Sequence, residues 1–244
     1  MLTKLFKIII SLTSFVIAAY SILELTYFLS VPKTLIKKSD SWVDTSQNML
    51  VNMVLLSIFI LQHSAMASQK YKNFVKSRVV DDISRSFYVT ATAATLLLII
   101  KNWQPTLNLI IWNFDLSYKP LWLLYISIHT GTWMIIYVAN ICTDIPELVG
   151  LKQVYYSLIN QPDPMKRKSL QLQRLTSHMR HPSFLGFLLI FWFFPVMTLD
   201  RMLLATILSC YMYIAWNTDG EDYTYQKYMF DRKYLELLRL DKAR

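Results

Sequence analysis

Six apolar stretches dominate this chain, and they leave little choice of fold. They cover residues 8–29, 49–67, 87–100, 121–142, 184–199 and 202–216. A helix needs about 20 mostly apolar residues to cross a hydrocarbon core of about 30 Å. The third stretch is short, which tilt, snorkelling or local thinning of the bilayer accommodates. The fifth and sixth are parted only by Asp200 and Arg201, so together they read as a tight helical hairpin. The expected architecture is all-α: one multi-pass membrane domain over residues 1–244, with about six transmembrane helices and short interfacial helices.

The cations support this count. With six crossings, the N-terminus, the second loop, the fourth loop and the C-terminus share one side. That side holds nineteen lysines and arginines, and the other holds six. Such a bias places the richer side in the cytosol or its nuclear continuation. The fourth loop (143–182) and the tail (219–244) are therefore expected there. Lys4 and Lys7 precede an apolar run that imitates a signal peptide. The run continues too far, and bulky Tyr20, Leu23 and Leu25 follow, so an uncleaved first span is expected.

Composition removes several function classes. Hydrophobic residues make up 54% and charged residues 17%. Four glycines cannot build a glycine-rich nucleotide loop, and two cysteines cannot build a disulfide framework. The net charge of +9 fits loop charge facing anionic lipid. Trp112, Trp122, Trp192 and Trp216 fall near span ends as interfacial belts. No direct nucleic-acid binding is expected. The four histidines and two cysteines have no zinc-ligand spacing, so no metal is expected.

The densest polar feature is Thr176-Ser177-His178-Met179-Arg180-His181-Pro182, just before the fifth span. Pro182 suits a first helical turn, and a helix N-terminus with Arg180 beside it attracts anions. An ordinary basic flank would look the same. An antiparallel hairpin returns Glu221 and Asp222 to the level of Arg180 and His181. Opposite charges there make either an ion pair that shuts the hairpin or two walls of a pocket suited to a zwitterionic nucleoside. Residues 145–158 read as an amphipathic piece along the interface, and 221–240 as a helix on the membrane face. Glu24 lies in the first span, where a charge is usually partnered. His63 and His129 are read as hydrogen-bonded contacts between helices.

Segments 61–67, 147–156, 177–182 and 198–205 resemble the nurim family, multi-pass proteins of the inner nuclear membrane. The resemblance implies a structural or interaction role there, in contact with the bilayer and with the nuclear lamina or other nuclear-envelope proteins. That family is similar in turn to membrane methyltransferases of the isoprenylcysteine carboxyl methyltransferase type. Their pattern is a histidine, then Arg-His-Pro-x-Tyr-x-Gly, a hairpin, and Glu-Glu. His178, Arg180, His181, Pro182 and Gly186 match, while Phe184 replaces the tyrosine and Glu221-Asp222 the glutamate pair. The resemblance implies, as the alternative function, an S-adenosylmethionine site. Arg180 would hold the cofactor carboxylate and Glu221 or Asp222 its polar hydrogens, with His178 and His181 shaping the site.

Overall fold

The computed structural model describes residues 2–31, 42–76, 81–142, 144–169, 183–215 and 220–242. Its helices are α1 (Leu2–Ser30), α2 (Trp42–Ala67), α3 (Gln69–Lys76), α4 (Asp81–Asn102), α5 (Lys119–Cys142), α6 (Ile145–Leu148), α7 (Leu151–Leu158), α8 (Phe184–Trp192), α9 (Leu199–Ala215) and α10 (Gly220–Lys242). A short pair of strands, β1 (Ile110–Asn113) and β2 (Val196–Thr198), joins them. Among the described residues, α1, α2, α4 and α5 are long and apolar enough to cross a membrane. The chain is a mostly helical membrane protein.

Small side chains decide how α1 meets α4. Ser11, Ser14, Ala18 and Ser21 recur at helical spacing and are all buried. Lipid is as apolar as leucine, so helices in a bilayer gain little from burying large side chains and associate through close backbone approach. Ser14 Oγ donates to the Ser86 carbonyl at 3.0 Å. Lys7 meets Asp82 at 2.5 Å, and Glu24 meets Lys101 at 2.8 Å. These pairs climb both helices together, so α1 and α4 run parallel. Glu24 is thus partnered across the seam.

Polar pairs fix the other helices. The Asn52 side chain, fully buried, bonds both the carbonyl and the N–H of Gln104, at 2.7 and 2.9 Å. Thr95 donates to Gln62 at 3.1 Å, and Tyr88 lies beside the His63 ring. Ser64 meets Tyr211 at 2.9 Å, and Asn140 donates to Ser183 at 3.2 Å. His129 meets Ser30 at 2.9 Å. The contacts sort the helix ends. The starts of α1, α4 and α8 gather with the ends of α2, α5 and α9, and the sheet lies at the opposite end. Leu56, Trp133, Phe184, Ile190 and Ala205 fill the core between them.

The fifth stretch corrects the sequence reading, because residues 184–199 are not one helix. The helix stops at Trp192 after nine residues. Pro195 removes a helical donor and disfavours the helical region for Phe194 before it. Residues 196–198 extend instead and pair antiparallel with β1, Ile110 opposite Thr198 and Asn113 opposite Val196. The fold is thus helical with a small sheet, and the hairpin closes through a strand.

Candidate functional site

Of the residues expected to form a pocket, His178, Arg180 and His181 lie outside the described residues. Gly186 sits in α8 against α5, where an added Cβ would stand 2.7 Å from Ile136 Cγ1. The two helices approach closely at this position. The backbones of Glu221 and Asp222 form the first turn of α10. Trp192 Nε1 donates to Ser209 Oγ at 3.0 Å across the hairpin. Both helices rise about 1.5 Å per residue, so the start of α8 comes level with the end of α9.

A polar centre beside that level was not legible in the sequence. Asp144 opens α6 in the left-handed region, φ 71°, and its carboxylate accepts the Glu147 N–H. Aspartate tolerates that conformation better than most residues. Lys152 donates to Asp144, and Lys168 donates to Glu147 Oε1 at 2.6 Å. Glu147 is only 8% exposed. Arg85 on α4 donates to the Leu148 carbonyl at 2.8 Å, and Ser157 on α7 donates to Asp82 at 2.6 Å. Val154 is buried beneath, packed with α1 and α4. Residues 145–158 therefore dock on protein rather than lying along lipid as one piece.

Gly150 divides that segment. Its φ is 91°, and an added Cβ would lie 2.8 Å from the Ser86 backbone nitrogen. Only glycine meets both demands. Buried polar atoms without a hydrogen-bond partner concentrate here: Asp82 Oδ1, Ser86 Oγ, Glu147 Oε2 and Gln153 Oε1. This centre can therefore accept further donors.

The hydrogen bond from Lys152 holds the Asp144 carboxyl below its ordinary value, and Asp144 in turn raises the Lys152 ammonium. A lowered carboxyl stabilises the fold fully above its unfolded value, about 3.9, and loses that effect as pH falls through the lower folded value. The protection of amides across α6 and α7, relative to the intrinsic exchange rate at each pH, is expected to fall in that acid window. Asp144→Asn will flatten this dependence. An acid limb that is the same in both proteins would contradict the assignment.

At the opposite end, Asp200 is buried and accepts from Trp103 Nε1 at 2.8 Å and from the Thr106 N–H and hydroxyl at 3.0 Å. Arg201 reaches the carbonyls of Phe28 and Leu29 at the end of α1, at 3.1 and 3.4 Å. A cation there complements the helix dipole. The cavity lined by Phe28, Trp103, Phe194, Asp200 and Arg201 measures about 20 Å³, room for about one water.

Long apolar helices, charges paired at the bundle's two ends and polar side chains joining helices within it define a polytopic membrane protein. No protein-family model matches the chain, and no solved structure does. Curated relatives do. The chain is 34% identical over 97% of its length to the Nurim homolog of Drosophila melanogaster, covering 98% of that protein. It is 35% identical to the Drosophila pseudoobscura pseudoobscura homolog, over 96% of this chain and 97% of the relative. Bos taurus Nurim is 33% identical over 91% of each. The chain belongs to the nurim family.

Proposed function

We propose that this protein resides in the inner nuclear membrane, crosses it six times, and has a structural or interaction role without catalysis. Both ends of the chain and the loop 143–182 face the nucleoplasm. The observation that carries this reading is the construction of the cation-rich end. Lys7–Asp82, Lys168–Glu147, Arg85 on Leu148 and Ser157 on Asp82 tie α1, α4, α6 and α7 into one platform. Such a platform presents the remaining basic loop and tail to partners such as the nuclear lamina or other envelope proteins. Photobleaching of the fluorescently tagged protein tests it. Slow recovery at the nuclear rim is expected to persist in Arg180→Ala and His181→Ala and to be lost when any one span is deleted. A span-deleted protein still held at the rim would overturn it.

A second reading, an S-adenosylmethionine-dependent membrane methyltransferase or a cofactor-binding relic of one, draws support from the hairpin. The start of α8 and the end of α9 stand at one level, as the Trp192–Ser209 bond requires. Arg180 would then face Glu221 and Asp222 across a site at the membrane surface. Calorimetric titration of S-adenosylmethionine into the detergent-purified protein decides the matter. Binding abolished by both Arg180→Ala and Glu221→Ala supports the second reading. No heat at millimolar cofactor removes it.

A further inference from the structure

We propose that α10 lies in the plane of the membrane, its apolar face sunk into the leaflet at which α9 ends. This 23-residue helix begins at Gly220, five positions after α9 ends at Ala215. So short a link holds its start at the lipid surface and makes insertion an intramolecular event. Tyr223, Phe230, Tyr234 and Leu238 are all exposed. At about 100° per residue they fall within an arc of about 80°, with the exposed Asp231 at its edge and the exposed Tyr228, Met229 and Leu235 outside it. Arg232, Glu236 and Arg239 lie on the opposite side, and Arg232 pairs with Glu236 at 3.6 Å. Among the described residues, α10 makes few contacts with other elements.

The chemistry of this face selects lipid. Tyrosine is favoured where an apolar ring must keep its hydroxyl in the headgroup layer. Lys227 lies within the apolar arc, and Lys233 about 60° outside it. Both are exposed, and their long stems let the ammonium groups rise to lipid phosphates. A protein groove would bury Lys227 without that escape. The inference relies on the proposed crossing by α9, and the test separates the two.

The full chain, with Cys142→Ser and Cys210→Ser, is reconstituted into phosphatidylcholine–phosphatidylserine vesicles. A spin label is placed by Phe230→Cys, Tyr234→Cys, Arg232→Cys or, as a control on α9, Tyr213→Cys. Tyr213 is 72% exposed on α9 and reports bilayer insertion of that helix alone. The expected result is several-fold preference for oxygen over a water-soluble nickel complex at 230 and 234, with the reverse at 232. Nickel access at all three α10 positions would overturn the proposal by placing the helix in water. Shielding of 230 and 234 from both reagents would overturn it in favour of a protein partner. Oxygen access at 213 in either case leaves the α9 crossing standing.

Discussion

Asp200→Ala will destabilise the protein by about 2–5 kcal/mol, at about 1–3 kcal/mol for each buried donor left without its acceptor. The substitution strands the Trp103 indole N–H together with the Thr106 N–H and hydroxyl, all buried with it. It also removes an anion from the first turn of α9, where the helix dipole favours one. Asp200→Asn keeps an acceptor in place and should cost less. Equilibrium unfolding in mixed detergent micelles measures both. An Asp200→Ala protein as stable as the parent would mean that this network does not hold the α4–β1 connection to α9.

The second large effect belongs to Gly150→Ala. A left-handed residue with a Cβ costs about 1–2 kcal/mol, and forcing a methyl into filled space costs about 1–3 more. The Cβ would stand 2.5 Å from Ser86 Oγ and 2.8 Å from Ser86 N. Adding Ser86→Ala removes the first clash and leaves the second, so recovery will be partial. Full recovery in the double variant, or no loss in the single one, would contradict the close approach of α7 to α4.

These two sites show where sequence reading succeeds and where it stops. The long helices were legible because length and apolarity are additive along the chain: 49–67 and 121–142 lie inside α2 and α5. The break in 184–199 carried a local signal, Pro195, which a measure of apolarity does not register. The pairing of residues 110–113 with 196–198 joins segments more than eighty positions apart. It leaves no periodicity in either.

The polar centres were hidden for the same reason. Glu147 meets Lys168 across 21 positions, and Asp200 meets Thr106 across 94. A charge in sequence looks alike whether it is solvated or buried against a partner. Asp200 and Arg201 read only as the break between two apolar stretches, yet they clamp the ends of α1 and α4. Glu24 and His129 were legible as partnered polar groups because hydrocarbon leaves them little alternative. Of the expected pocket, the level of its two walls follows from hairpin geometry. The side chains that would face each other do not.

Residence in the inner nuclear membrane with a nucleoplasmic tail is tested most directly by split-fluorescent-protein complementation. One fragment is fused after Arg244. The complementary fragment is confined either to the nucleoplasm or to the lumen of the nuclear envelope. Fluorescence at the nuclear rim with the nucleoplasmic fragment alone is the predicted result. Fluorescence with the lumenal fragment alone would contradict the nucleoplasmic tail.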